Sequence, residues 1–238
     1  MAKEFDDFAL VHPRDYFAPL TALLQADVDL TGKVVLEFGC GTGAWILSLE
    51  ELSAKSVAGI DISAEAIKAA QQAAKKKGHS AVRFLNADIS RENVDLPPPD
   101  LIISHSVLQY VVDLEQVVRR LFSLLAAGGR IFVTLEKKSR MDPLNWVQWF
   151  NFLLVPVAIR RRFHYIIRIL LPDAARKNPP EVLEAKSRYL GIPAVQFLTA
   201  GRLKKVFEAA GFQEVSVSLA PGLDPHSVPH YLIRASKP

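Results

Sequence analysis

Short runs of consecutive apolar residues alternate along this chain with longer stretches in which apolar residues recur at helical spacing. Residues 33–38 (KVVLEF) form a compact β-type run that stops at a glycine-rich turn, and residues 42–54 follow with a helical pattern. A second apolar run at 56–60 ends on Asp61, and Ser63 then stands where a helix cap belongs. The alanine-rich helix behind it extends to Lys77, with Gly78 as its stop. Residues 81–85 predict a third strand, and Pro97, Pro98 and Pro99 interrupt the chain before a fourth at 100–104. An amphipathic helix at 113–126 ends at Gly128 and Gly129, and residues 130–135 predict a fifth strand.

Strand–helix alternation of this kind implies a parallel sheet with helices on both faces. Strands buried on both sides read as continuous apolar runs, as VVLEF, LIISH and RIFVTL do. The rhythm breaks at Lys137, and up to about Gln196 aromatic, arginine and proline clusters replace it. Regularity returns with a helix at 199–210, ended by Gly211. Two strands follow at 212–219 and 229–235, expected as an antiparallel pair. The expectation is a doubly wound α/β domain made of residues 1–136 and 197–238, with 137–196 inserted as a helical cap or substrate-binding segment.

Composition narrows the setting. Of 238 residues 50% are hydrophobic and 23% charged, so a sizeable core is expected. The net charge of +4 comes from scattered basic residues, which argues against a nucleic-acid partner. Cys40 is the sole cysteine, which excludes an intrachain disulfide and suits a reducing compartment. The first ten residues are acidic and lack an apolar signal core. No apolar run reaches the roughly 20 residues that span a bilayer, so a cytoplasmic protein is expected.

The strongest chemical signal is the turn after the first strand, Gly39-Cys40-Gly41-Thr42-Gly43. Glycines there let a ligand approach the backbone where a Cβ would collide, and the following helix offers free N–H groups. Asp61 lies about 20 residues on, the spacing of the dinucleotide fingerprint, at a position suited to ribose hydroxyls. The loop and Asp61 point to a Rossmann-type nucleotide site without naming the cofactor. Three features tilt the choice away from a nicotinamide. Glu37 stands two residues before the first glycine, suited to a cationic amino-acid group. Asp88 follows the third strand, suited to an adenine amino group. Two terminal strands replace further βαβ units. Cys40 reads as a small turn residue, and no Cys/His spacing suggests a metal.

Residues 37–43 (EFGCGTG), 59–63 (GIDIS), 86–89 (NADI), 101–110 (LIISHSVLQY) and 124–130 (LLAAGGR) together resemble the ordered motifs of class I S-adenosylmethionine-dependent methyltransferases. The resemblance covers about 30–135 and resumes from 199. It implies a seven-stranded, mainly parallel sheet with an antiparallel last strand, and S-adenosyl-L-methionine as cofactor. By position, Gly39, Gly41 and Gly43 would pass beneath the methionine and ribose moieties, with Cys40 in the same loop. Glu37 would orient that loop and the amino group. Asp61 would hold the ribose, and Ile62 would pack on adenine. Asp88 would accept from adenine, with Ile89 beside the ring. Ser104 and His105 would lie near the methyl group.

Methyl transfer is a direct displacement, so aligning the acceptor does much of the work, and a base helps where a proton must leave. His105 is the candidate base, being at the carboxyl end of a central strand and of a type that titrates near neutrality. Gln109 and Tyr110 are candidates for the same mouth, and His12 and Tyr16 for a lid. His164, His226 and His230 are weaker candidates. The segment 145–171 mixes Trp, Phe and Arg and leaves three readings open: a cap over a hydrophobic substrate, a surface in peripheral contact with a membrane, or a homodimer interface. The leading expectation is methylation of O or N on a small, partly hydrophobic or aromatic molecule. The rivals are a lipid or quinone methyltransferase at a membrane, an NAD(P)-dependent oxidoreductase, and a non-catalytic binding protein.

Overall fold

The computed structural model describes residues 17–49, 54–79, 81–137, 198–220 and 229–238. Their strands are β1 (Val34–Phe38), β2 (Ser56–Asp61), β3 (Arg83–Asn86), β4 (Leu101–His105), β5 (Arg130–Glu136), β6 (Gln213–Leu219) and β7 (His230–Ser236). The helices are α1 (Ala18–Asp27), α2 (Ala44–Leu49), α3 (Ala64–Lys77), α4 (Leu114–Leu124) and α5 (Ala200–Ala209), with a 3-10 turn at Leu108–Tyr110.

The strands form one seven-stranded sheet in the order β3-β2-β1-β4-β5-β7-β6. β1 to β5 pair in parallel, and β7 runs antiparallel to both β5 and β6. The doubly wound sheet with a reversed last strand is therefore as the motifs imply. The chain winds outward from β1 to β3 on one side and from β4 to β5 on the other. The crevice between β1 and β4, beyond their carboxyl ends, is where such sheets bind ligands.

Because side chains alternate along a strand, each buried run serves two layers. Val35, Leu101, Ile103, Phe132 and Leu232 face Leu20 and Leu24 of α1 and Trp45 and Leu49 of α2. Leu36, Ile102, Ile131, Val133 and Ile233 face Val117 and Leu121 of α4 and Leu203 and Phe207 of α5. Burying each such side chain contributes about 1.5–3 kcal/mol, which holds the strand ends in a rigid row. Helix starts are capped locally: Ser63 Oγ accepts from Ala66 N, Asp113 Oδ1 from Gln116 N and Thr199 Oγ1 from Arg202 N.

Some boundaries differ from the sequence reading. β3 begins two residues later than residue 81, because its pairing with β2 starts at Ala58 opposite Arg83 and runs to Asp61 opposite Asn86. Helix α2 is seen over Ala44–Leu49 of the expected 42–54. Helix α1 was not anticipated; its Pro19 lies in the first turn, where a missing N–H does no harm. The expected cap lies, apart from Lys137, outside the described residues, as do His12, Tyr16, His164 and His226. No helix among the described residues is long and apolar enough to cross a membrane.

Candidate active site

The loop leaving β1 is built from backbone contacts to β2. Gly39 N and Cys40 N both donate to Ile60 O, at 2.8 and 3.0 Å, and Gly43 N donates to Cys40 O at 2.9 Å. Gly39, Gly41 and Gly43 all have positive φ. The space around them differs. A Cβ on Gly39 would lie 2.3 Å from Val107 Cγ2, whereas one on Gly41 would meet nothing within 4 Å. Gly39 is glycine because the protein packs against it; Gly41 leaves its open side to a ligand.

Two carboxylates brace the loop. Asp61 Oδ2 accepts from Gly41 N at 2.8 Å and Oδ1 from Ser63 N at 2.9 Å. Asp61 thus links the glycine loop to the start of α3, and Ser63 is the cap itself. Glu37 shares the sheet face of Val35, beneath α2, and its carboxylate accepts from Ile46 N near the first turn of that helix. Burial raises its carboxyl well above the usual range; the Ile46 N–H opposes this and the nearby Asp61 charge adds to it. Glu37 Oε2 has no hydrogen-bond partner. A buried acid with one oxygen unsatisfied, beside a loop with an open glycine, suits a ligand carrying a cationic amine and hydroxyls. The residues present therefore fit S-adenosyl-L-methionine.

The remaining expected residues take mixed positions. Ile62 is half-buried, and Asn86 Nδ2 holds its carbonyl and that of Asp61, at 3.0 and 3.1 Å. Asn86 was not singled out as a brace; its place at the end of β3 was the available signal. Asp88 organises the turn after β3: Oδ1 accepts from Ser90 N, and Oδ2 lies 3.6 Å from Arg91 Nε. Ile89 belongs to the buried core. Ser104 is fully buried, and its Oγ donates to Phe38 O at 2.8 Å, tying β4 to β1. The Cys40 thiol is buried, and desolvation first, then the charges of Glu37 and Asp61, raise its pKa. Such a thiol ionises less readily than an exposed one, which disfavours a nucleophilic role.

His105 ends β4 on the same face as Leu101 and Ile103. Its Nδ1 lies 2.7 Å from Thr134 Oγ1 on β5. The rings of Phe17 and Trp45 meet it edge-on, with centroids 5.7 and 6.3 Å away. His230, at the start of β7, stacks on it at 5.4 Å and 14°. Ser106 Oγ lies 3.4 Å from His105 Nε2 and 3.3 Å from His230 Nε2. Phe17, Trp45, Ser106 and Thr134 were not named from the sequence, and His230 ranked low there. A reversed strand delivers its first residue to the edge where parallel strands end, and that was the only signal. Tyr110 and Gln109 are buried beside β4, and neither carboxamide atom of Gln109 has a partner. Among the described residues, no group of acids, His and Cys is arranged to hold a metal ion.

Sheet order, reversed last strand, glycine loop and acid-ended β2 define the class I S-adenosylmethionine-dependent methyltransferase fold. Residues 29–210 match the family model described as a methyltransferase domain, and the chain belongs to that family. It is 32% identical over 107 residues to malonyl-[acyl-carrier protein] O-methyltransferase of Paenibacillus sp., covering 44% of this chain and 39% of that protein. Against ubiquinone biosynthesis O-methyltransferase of Cupriavidus pinatubonensis it is 31% identical over 147 residues, 56% of this chain and 57% of that one. The chain thus spans less than two thirds of these relatives. Among solved structures, magnesium protoporphyrin IX methyltransferase from Synechocystis PCC 6803 with bound SAH superposes with TM-score 0.60 at 18% identity, over 94% of this chain and 83% of that one. That likeness supports the same fold. Family membership favours the sulfonium cofactor over the nicotinamide alternative.

Proposed function

We propose that this chain transfers the methyl group of S-adenosyl-L-methionine to O or N of a small, partly hydrophobic or aromatic molecule. The observation that carries this is the setting of His105: an imidazole framed by the rings of Phe17 and Trp45, at the carboxyl end of β4. Such a site suits an apolar body bearing one hydroxyl or amine.

In this reading the backbone of Gly39, Cys40, Gly41 and Gly43 cradles the cofactor, Glu37 faces its ammonium group and Asp61 its ribose. Ile62 and Ile89 flank adenine, Asp88 accepts from it, and Ser104 sets the spacing of β1 and β4. The cofactor supplies a methyl group on a positively charged sulfur. The protein aligns the acceptor, excludes water and removes a proton through His105. The segment 137–196 serves as the substrate-side cap.

The test is methyl incorporation from labelled S-adenosyl-L-methionine into a panel of phenols, aryl amines and quinols. Turnover of one class, reduced about 100-fold or more in His105→Ala, supports the reading. Cofactor binding without turnover on any acceptor overturns it in favour of a non-catalytic binding protein. A second reading, a quinone or lipid acceptor at a membrane, draws on the ubiquinone-pathway relative and the Trp/Phe/Arg composition of 145–171. Flotation with anionic liposomes separates the two: the membrane reading requires the protein to rise with the vesicles.

A further inference from the structure

His105 does not stand alone at the mouth of the site. Residues 105 on β4, 134 on β5 and 230 on β7 share one sheet face, and pairing places Thr134 beside His105 and Glu136 beside His230. The two imidazoles stack nearly parallel. Between them stands Ser106, a non-glycine residue with φ 55°, held there by its N–H to Thr134 O at 2.8 Å. Glycine takes such a backbone without strain, so serine here puts a hydroxyl where glycine would serve the chain better.

A hydroxyl has one proton. Facing two imidazole nitrogens, it donates to one and leaves the other either bare or donating to it. The distances of 3.4 and 3.3 Å are loose, as ligand-free catalytic hydrogen bonds often are. Two stacked imidazolium rings repel, so the pair accommodates one extra proton readily and a second poorly. Phe17, which precedes α1, and Trp45 of α2 turn uncharged rings toward His105. On the β5–β7 side Glu136 pairs opposite His230, and Lys137 Nζ lies over the neighbouring Tyr231 ring at 5.9 Å.

From this constellation we infer that His230 and Ser106 are positioning residues for His105: they hold its Nε2 ready for the acceptor's proton and receive the charge afterwards. The inference rests on His105 acting as the base. As the acceptor's lone pair forms its bond to the methyl carbon, the carbon–sulfur pair stays on sulfur and the acceptor's proton passes to His105 Nε2. His105 keeps its other proton on Nδ1, given to Thr134 Oγ1. The Nε2 proton then passes to Ser106 Oγ as the Ser106 proton passes to His230 Nε2. Charge balances: the positive charge of the methyl donor ends on His230.

The test is a nitrogen-detected NMR titration of the full chain labelled in histidine, with S-adenosylhomocysteine as the bound probe. In wild type His105 carries its neutral-form proton on Nδ1, and the two rings titrate as a coupled pair. Ser106→Gly suits the backbone and leaves the rings stacked and coupled, yet shifts the Nε2 signals of both histidines as the shared hydroxyl is lost. His230→Gln raises the midpoint of His105 by about one pH unit, because the competing charge is gone. Loss of the stacked charge by itself raises the His105 midpoint in His230→Gln, so Ser106→Gly decides: unchanged Nε2 signals and tautomers of His105 and His230 in that variant overturn the inference. If His230→Gln does not fold, Ser106→Gly decides alone. Failure of S-adenosylhomocysteine to bind wild type sinks the functional reading instead, so the two failures are distinct.

Discussion

Burial holds the Glu37 carboxyl above the usual carboxylate range, and the sign of its effect follows. The folded protein keeps a proton that the unfolded chain has already released above about pH 4.3. This group's stabilisation is complete below that pH and is lost as pH rises through the raised folded value. Denaturant unfolding across pH should therefore show wild type losing stability toward alkaline pH relative to Glu37→Gln. A cationic ligand facing Glu37 favours its ionised form, so cofactor uptake should release a proton. Calorimetry in two buffers of different ionisation enthalpy reads that release, and Glu37→Gln should abolish it while weakening binding about tenfold or more. Gln109 makes an opposite case. Its buried carboxamide satisfies neither donor nor acceptor, so Gln109→Leu should raise the melting temperature of ligand-free protein by about 2–4 °C, for a gain of about 1 kcal/mol.

At the scale of elements, the loop after β1 separates two reasons for glycine. Gly39→Ala drives a methyl group into Val107 at a positive φ, and should destabilise the fold by about 1–3 kcal/mol. Gly41→Ala meets open space, so its fold cost is the left-handed backbone alone, about 1–2 kcal/mol. Its cofactor affinity should fall much further, because the added methyl enters the cleft. Thermal melts with and without S-adenosylhomocysteine measure both. The loop was legible in the sequence because the turn, the capped helix and Asp61 are local and evenly spaced. The difference between Gly39 and Gly41 was not, since Val107 arrives from after β4.

For the whole molecule, a ligand that binds only the folded state stabilises it by about 2.7 kcal/mol at a concentration 100 times its dissociation constant. In a domain of this size that is an upward shift in melting temperature of about 5–10 °C. S-adenosyl-L-methionine and S-adenosylhomocysteine should both produce it and NAD should not, by differential scanning fluorimetry. Global assembly also joins distant segments away from the site: Asp27 at the end of α1 pairs with Arg234 on β7.

The parallel α/β sheet, the antiparallel terminal strands and a nucleotide-type loop were legible in the sequence from local signals: apolar runs of strand length, caps, glycine turns, and acids ending β2 and β3. The seven-stranded count, the reversed last strand and the cofactor class came from the resemblance of the ordered motifs, and the order of strands in the sheet from the structure. The sequence also placed His105 at a strand end, since the length of LIISH sets where β4 stops. Only the tertiary structure decided what surrounds it. Ser106 and His230 lie 124 residues apart, and their approach depends on β7 inserting antiparallel beside β5 with one register. Pairing across such separations is settled by packing of both sheet faces together, and no local pattern encodes it.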